Sequence, residues 1–498
     1  MNPPRDPPPT NTAPAPSNVT VLEEVRRQRT LVLVVVMLGV MITAVDTTIV
    51  ILGLPVMMAD LHTDLVSMVW VIMAYLLTLT ILGTQVGRLG DMYGRVRLYQ
   101  VGFGVFTVGS VLCGLSQTGA ELIGLRVLQA VGGALISANS GAIIADNVPA
   151  SERGHAYGLT SIGWNIGAIL GILLGGVLIT FINWRFIFFI NLPIGIAALV
   201  IGYLVLRERA PRRPESIDVL GMLCLGIGLF LVLLALTDIA GTGWTIATGL
   251  ALLVGAVLIV AFVVWESHTP APLLPLSLFQ QRVLTASIFA AFFQALGNYA
   301  VLFLVIMYLQ GVRGLSPFVA SLLLTPGYVA GGFLGPFSGR LADRAGARLP
   351  ASVGLGLQIV GVVAYATLGL TTALWVVVVA AILNGCGSGF FFPANSSAVM
   401  ANAPRHAYGV ASGLLRTLAN VGMVGSFAVA LLAAAVAIPR AEAFAIFLGT
   451  TTLGAGLARA FVQGYHLALI VAIVPLSLAL LLSILRGPEL RAGSPAQQ

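Results

Sequence analysis

The chain is a succession of uncharged apolar stretches, each about 20 residues long. A helix of that length rises about 30 Å, the thickness of the hydrocarbon core of a bilayer. Because hydrocarbon cannot hydrogen-bond to exposed backbone groups, such stretches cross it as α-helices. We therefore predict an all-α integral membrane protein with fourteen spans, at about 31–54, 67–86, 97–116, 121–144, 155–181, 185–206, 217–237, 246–265, 284–309, 317–338, 350–370, 373–395, 406–438 and 464–485.

Composition supports a membrane protein and excludes several kinds of site. Charged residues make up 9% of the chain, against about 25% in soluble proteins. All 25 basic residues are Arg, so the lysine of a phosphate-binding loop is missing and ATP hydrolysis of that type is excluded. The three cysteines are isolated and the five histidines are scattered, which argues against a disulfide framework, a metal site or another cofactor.

The arginines predict the orientation. With a cytoplasmic N-terminus, 19 Arg lie inside, 4 lie outside and 2 lie within spans. Cytoplasmic loops carry the excess of basic residues in membrane proteins. This bias places both termini in the cytoplasm of a multi-pass cell-membrane protein and makes nucleic-acid binding an unnecessary explanation of the +7 charge.

An internal repeat organises the chain. The segment that begins Gly87-Arg88-Leu89-Gly90-Asp91 recurs 252 residues later as Gly339-Arg340-Leu341-Ala342-Asp343, and Asn139 and Asn395 begin a second matching pair. Repeated halves are typical of transporters. The repeat predicts a disordered Pro-rich tail (1–30), a six-helix bundle (31–206), a linker with two extra spans (207–282), a second six-helix bundle (283–485) and a cytoplasmic tail (486–498).

Asp46 is the acidic residue nearest the middle of a span. A charge there costs about 2.5–3.5 kcal/mol on insertion scales, so such residues are usually functional. Because burial disfavours the charged carboxylate, Asp46 is a candidate proton carrier; a structural carboxylate is the alternative. Arg126 falls at a similar depth in span four, so a pair, direct or through water, is expected unless Arg126 reaches the outer surface instead.

These motifs resemble the major facilitator superfamily, and within it the fourteen-span drug:proton antiporters. The resemblance rests on seven segments, which are Val45–Pro55, Gly87–Arg97, Leu122–Gly133, Gly163–Gly176, Trp184–Gly195, Asp218–Gly221 and, before span nine, Pro272–Phe279. Two positions depart from the family pattern: Ile51 replaces an Asn, and Ile172 replaces the Pro of the antiporter motif.

The resemblance implies a role for three sets of residues. Asp46 and Arg126 would couple transport to protons. A conformational latch would comprise Gly87, Arg88, Asp91, Gly94, Arg95, Gly339, Arg340 and Asp343. The antiporter-motif helix would use Gly163, Gly167, Gly171, Gly175 and Gly176, whose spacing also suits close helix packing.

The resemblance further implies a function. It predicts alternating-access export of bulky lipophilic compounds, driven by protons and giving multidrug resistance, by a monomer that meets small-molecule substrates, protons and membrane lipids. Candidate cavity residues, each equally open to a packing role, are Trp164, Asn165, Gln294, Asn298, Tyr299, Tyr328 and Arg416. Ile172 leaves a proton symporter for a metabolite as the alternative, whereas the spans lack the paired carboxylates or nucleophile–base pairs of an enzyme.

Overall fold

The fourteen predicted spans are confirmed. The computed structural model describes residues 18–148, 153–208, 217–269, 276–403, 408–437 and 455–487, and fourteen of its helices are long and apolar enough to cross a membrane. They are α1 Asn18–Asp60, α2 Leu65–Tyr93, α3 Arg95–Leu115, α4 Gly119–Asn147, α5 Arg153–Phe181, α6 Asn191–Val205, α7 Val219–Thr242, α8 Ile246–Glu266, α9 Arg282–Met307, α10 Pro317–Ala345, α11 Arg348–Ala366, α12 Trp375–Asn402, α13 Tyr408–Ala437 and α14 Ala455–Leu485.

Three short segments accompany α6 and α9, and the first of them completes the sixth span, Phe186–Val205. A single helical turn, Phe186–Phe189, precedes α6, and a 3₁₀ turn, Leu276–Gln280, precedes α9. The segment Tyr308–Val312 continues α9 as a π-helical turn. The first half of the motif Pro272–Phe279 before span nine lies outside the described residues, because 270–275 are not among them.

Side-chain caps begin several of the helices. A short polar side chain at the residue before the helix accepts a hydrogen bond from a backbone N–H that would otherwise lack a partner. Asp64 caps α2, Thr118 caps α4, Asp218 caps α7, Thr245 caps α8 and Ser316 caps α10.

The N-terminal tail is more ordered than predicted. We expected disorder through residue 30, but α1 begins at Asn18. The prolines of the tail end at Pro16, and Leu22 to Arg29 is rich in the straight-chain residues that favour helices. Residues 1–17 and 488–498, the rest of the predicted tails, lie outside the described residues.

The helices form two packed groups. In the first helix group, α1–α6, α1 packs on α4, α5 and α6, and α2 and α3 pack on α4. In the second helix group, α9–α14, α9 packs on α12, α13 and α14, and α12 packs on α10 and α11. We call the bilayer side at which α1 begins the proximal side and the opposite one the distal side.

The helices α7 and α8 pair with each other, and α7 packs against both groups, on α2 and α13. Trp70 of α2 donates a 3.2 Å hydrogen bond from its indole to Thr237 of α7. Asp218, which caps α7, also accepts a hydrogen bond of 3.0 Å from the indole of Trp265 at the end of α8. The Asp218 that the sequence singled out is therefore a joint between the two extra helices.

The two copies of the repeat adopt the same turn. Gly94 (φ +108°) separates α2 from α3, and Gly346 (φ +94°) ends α10, with both N–H groups bonded at 2.9 Å to the carbonyl four residues earlier. Positive φ favours glycine because it has no Cβ. The predicted loop is otherwise helical, since α2 continues past the expected end of its span at 86 as far as Tyr93.

A glycine seam joins α5 to α1. Gly163, Gly167, Gly171 and Gly175 lie along one face of α5, and a Cβ on each would meet atoms of α1 within 3.4 Å. The atoms nearest to Gly171 include Val45 and Thr48, which flank Asp46. The seam therefore holds the backbone of α1 closely at the depth of its buried carboxylate.

The two helix groups touch on the distal side. Gln310 donates a 3.0 Å hydrogen bond to the carbonyl of Leu52, and the backbone N–H of Phe318 donates one of 3.0 Å to Thr180. The rings of Phe181 and Phe318 meet edge to face, with centroids 5.4 Å apart. These contacts tie α1 and α5 to the second group near the distal surface.

The seam gives a stability prediction. Gly167→Val places a branched side chain against Met41 and Ala44, where a Cβ would lie 2.6 Å from the Met41 carbonyl oxygen. We expect a loss of about 1–3 kcal/mol from overpacking, measured as a lower melting temperature of the purified protein. Gly104→Val on α3, where nothing lies within 4 Å of a Cβ, is the matched control. Equal losses in both variants would show that the seam is not tight.

Candidate functional site

Asp46 and Arg126 form a direct ion pair inside the first helix group. The Nη1 atom of Arg126 lies 2.7 Å from Oδ2 of Asp46, and the two side chains are 1% and 0% exposed. The alternative in which Arg126 reaches the outer surface is therefore wrong. Since an unpaired ion is strongly disfavoured in a low-dielectric interior, each of these charges depends on the other.

Polar side chains from three helices complete the site. Gln129 donates to Oδ1 of Asp46 at 2.8 Å and accepts from Arg126 at 2.6 Å, so both carboxylate oxygens are bonded. Ser110 of α3 accepts from Gln129 at 2.6 Å and from Asn191, the first residue of α6, at 3.1 Å. Buried hydrogen-bond networks of this kind help to fix the helices that contribute to them.

Sequence reasoning missed Gln129, Ser110 and Asn191. Gln129 carried a usable signal, because it lies three residues after Arg126 and so on the same helix face. Asn191 lies in the Asn-Leu-Pro segment quoted for the family resemblance, without an assigned contact. Ser110 is one of several small polar residues in spans, and its sequence gave no signal.

The helix α2 covers the guanidinium of Arg126. Its Nε atom donates to the carbonyl of Val71 at 3.2 Å, and its Cζ atom lies 4.1 Å from the centroid of the Tyr75 ring. A cation above an aromatic face is stabilised by about 0.5–2 kcal/mol. Arg126 is thus held by α1, α2 and α4 together.

Trp184 and Arg185, which begin the segment Trp184–Gly195, anchor the distal end of α1. Asp60, the last residue of α1, accepts from the indole of Trp184 at 2.8 Å and pairs with Arg185 at 2.6 Å. Arg185 also donates to the carbonyl of Ser116 at 3.3 Å, beyond the end of α3. This cluster braces the helix that carries Asp46.

The segment Gly87–Arg97, which we call the signature segment, lies where α2 ends and α3 begins, on the proximal side. Arg95 pairs with Asp91 at 2.6 Å and with Asp146 of α4 at 2.7 Å. Glu208 accepts hydrogen bonds from the backbone N–H groups of Arg95, Val96 and Arg97 at the start of α3. A carboxylate there also complements the positive end of the helix dipole.

The second copy of this segment lacks the same cation. Ala347 stands at the position of Arg95, so the arginine of the first copy is not repeated at this position. Gly339 and the exposed Arg340 lie in the last turns of α10. The side chain of Asp343 lies outside what the structure describes.

Amide side chains meet within the second helix group. Asn384 of α12 donates a 2.7 Å hydrogen bond to Asn298 of α9. Gln294, one turn earlier on α9, donates at 3.0 Å to Gln358 of α11, which donates at 3.1 Å to Ser388. Asn384, Gln358 and Ser388 were not predicted, because their partners depend on helix rotations that sequence alone leaves open.

The other candidate cavity residues occupy different places. Trp164 is exposed on α5, and the Cβ of Asn165 approaches Gly332 of α10, at the contact between the two groups. Tyr299 and Tyr328 are half-buried, and Arg416 is exposed on α13.

A separate cavity of about 150 Å³ lies where α2, α7, α9 and α13 meet. It is lined mainly by apolar side chains, among them Leu77, Thr80, Leu229, Phe292 and Val424. None of the predicted cavity residues lines it. The extra helix α7 therefore helps to enclose an apolar space between the two groups.

A buried ion pair and hydrogen-bonded amide side chains inside fourteen membrane spans are features of a membrane transporter. Residues 36–427 match the family model of the Major Facilitator Superfamily. The chain belongs to that superfamily.

Curated relatives of the chain carry different substrate names. It is 33% identical to the tetracenomycin C resistance and export protein of Streptomyces glaucescens, over 80% of this chain and 74% of that protein. It is 30% identical to the riboflavin transporter RibZ of Clostridioides difficile, over 79% of this chain and 86% of that protein.

A solved structure has the same fold. The crystal structure of a bacterial homologue of the human lysosomal transporter Spinster, in an inward-facing and unoccupied conformation, aligns with a TM-score of 0.65. The alignment covers 92% of this chain and 97% of that one, at 20% sequence identity. At that identity the likeness concerns the fold alone.

The ion pair gives a second stability prediction. Asp46→Asn leaves Arg126 buried without a countercharge, and breaking a buried pair costs about 3–5 kcal/mol. The double variant Asp46→Asn/Arg126→Gln removes both charges, so we expect it to recover most of that loss. Melting temperatures of the purified variants measure this.

Asp60→Asn is the matched control for that series. It breaks the partly exposed pair with Arg185, in which Asp60 is 46% exposed, and such pairs contribute about 0–1 kcal/mol. A double variant no more stable than the single one would contradict the prediction that charge compensation holds Asp46 and Arg126.

Proposed function

We propose that the protein is a proton-coupled antiporter that exports bulky lipophilic compounds by alternating access. The observation that carries this proposal is the fully buried pair of Asp46 and Arg126. A carboxylate at that depth is costly unless it is paired, and protonation is the simplest way to release its partner. The proposal includes a cytoplasmic proximal side, as the arginine distribution predicts.

Protonation of Asp46 would change the whole network. A neutral carboxyl group loses most of its attraction for Arg126, whose guanidinium would then depend on Gln129, Val71 and Tyr75. Because these partners come from α2 and α4, a proton that enters from the distal side would alter how α1 packs on both. The position of Asp46 between these helices supports the proposed carrier role.

The helix α5 would transmit this change to the second helix group. Its glycine seam faces α1 beside Asp46, and Gly176 packs against Ser321 of α10. Thr48, two residues after Asp46, also lies 3.4 Å from the carbonyl of Ala168. A shift of α1 would therefore reach the distal contacts between the groups through one helix.

Export is supported by the tetracenomycin C relative and by the packed antiporter-motif glycines. Proton-driven uptake of a metabolite is the second candidate. The riboflavin transporter relative and the buried Ile172, which replaces the family's proline, favour it. The two candidates differ in the direction in which a proton gradient moves the compound.

Inverted membrane vesicles test direction and coupling together. With an acidic interior, we expect wild-type vesicles to accumulate tetracenomycin C, because protons leaving outward would drive it in. A protonophore should abolish accumulation, and Asp46→Asn should reduce it to the background of empty vesicles. Equal accumulation by Asp46→Asn would refute the carrier role, whereas gradient-driven riboflavin uptake in right-side-out vesicles would favour the symporter.

The signature segment yields a further prediction for the proposed latch. Asp91→Asn weakens the pair with Arg95, and a loss of about 1.4 kcal/mol from one conformational state changes a rate about tenfold. We expect transport in the vesicle assay to fall by about that factor. Asp343→Asn is the comparison from the second copy of the latch, where Ala347 replaces the arginine and we expect a smaller loss. Equal losses in both variants would argue against a latch built on Arg95.

A further inference from the structure

The second helix group carries a neutral pair at the position that corresponds to Asp46. The 252-residue offset between the two copies of the repeat relates Asp46 of α1 to Asn298 of α9. Asn298 pairs with Asn384 at 2.7 Å, and both residues are half-buried. The carboxylate of the first group is thus replaced by an amide, which pairs with a second amide and not with a guanidinium.

The amide side chains of Asn298, Asn384, Gln294 and Gln358, which we call the amide ladder, still have atoms free to form hydrogen bonds. The Oε1 atom of Gln294 is buried and has no hydrogen-bond partner among the described residues. The Nδ2 atom of Asn298 and the Oδ1 atom of Asn384 take no part in the bond between them. A buried amide without its partners is unfavourable, so a ligand edge with donors and acceptors would satisfy these groups.

Arg416 lies on the proximal side of this ladder. On α13, Gly422 packs against Phe292 of α9, and Arg416 is six residues earlier, about 9 Å nearer the proximal side at 1.5 Å per residue. Met423 and Phe427, on the same face of α13, are buried, whereas Arg416 is exposed. That face is therefore closed towards the distal side and open towards the proximal side.

Arg416 has no polar or charged partner among the described residues. The carboxylate at mid-membrane, Asp46, is already held by Arg126. Among the described residues, the exposed Arg416 of the second group therefore carries a positive charge without a countercharge. In a low-dielectric surrounding such a charge attracts anions and repels cations more strongly than it does in water.

We propose that the second helix group holds the selective part of the substrate site, and that it takes polycyclic organic anions and not lipophilic cations. Arg416 binds the carboxylate or phenolate, as guanidinium groups do well. Asn298 and Asn384, deeper in the group, bind a carbonyl or hydroxyl edge. This rests on the proposed transport function and names the substrate class that the function leaves open.

Two xanthene dyes of opposite charge test the proposal. The full-length protein in lipid nanodiscs is titrated against fluorescein, an anion, and rhodamine 6G, a cation, and fluorescence anisotropy is corrected with empty nanodiscs. We expect fluorescein to bind at least tenfold more tightly than rhodamine 6G. Arg416→Gln should remove that preference, Arg416→Lys should keep most of it, and Arg416→Glu should reverse it.

Matched controls separate the site from general effects. Arg344→Gln removes the same charge from the exposed last turn of α10 and should leave the preference unchanged. Asn384→Leu should weaken both dyes without changing their order, since it removes the amide edge and no charge. Melting temperatures of the variants exclude misfolding as the cause, and Arg416→Lys keeps the test decisive if a charge-removing variant is unstable.

The outcomes are distinct from those of the transport assay, because binding is measured at equilibrium without a gradient. The proposal is wrong if rhodamine 6G binds as tightly as fluorescein, if fluorescein binds no better than to empty nanodiscs, or if Arg344→Gln changes the preference as much as Arg416→Gln does. None of these results would decide whether Asp46 carries protons.

Discussion

The ion pair between Asp46 and Arg126 is the interaction on which the first helix group depends. Neither charge is tolerable alone in the interior of a membrane protein, so the chain must bring α1 and α4 together at one depth. The remaining bonding capacity then recruits Tyr75 of α2, Ser110 of α3 and, through Ser110, Asn191 of α6. One electrostatic requirement thus orders five of the six helices.

The sixth helix of that group, α5, is ordered by close packing instead. Its glycines let two backbones approach closely, which is how helices associate when lipid removes the hydrophobic driving force. Because its opposite face meets α10, α5 belongs mechanically to both groups. A change in charge at Asp46 and a change in the distal contacts are therefore linked through steric fit.

The sequence predicted those parts of the structure that depend on a single residue type or on regular spacing along one helix. Span count followed from apolar length, the seam from glycine spacing, and the depth match of Asp46 and Arg126 from counting residues along two helices. The sequence did not predict which amides meet, because Asn384 reaches Asn298 only at one relative rotation of α9 and α12. Glu208 was missed for a similar reason: its contacts with the start of α3 join residues more than 100 positions apart.

The two helix groups share a backbone turn but differ in the charged residues at corresponding positions. Gly94 and Gly346 retain the same positive φ, so the turn after the second span of each group is maintained. The charges at corresponding positions are not maintained, since Ala347 corresponds to Arg95 and Asn298 corresponds to Asp46 in the repeat. Among the described residues, the first group has a mid-membrane carboxylate at Asp46, and the corresponding residue of the second group is Asn298. Under the two proposals, the first group would respond to protons and the second would contact the substrate, so this asymmetry would separate the two tasks.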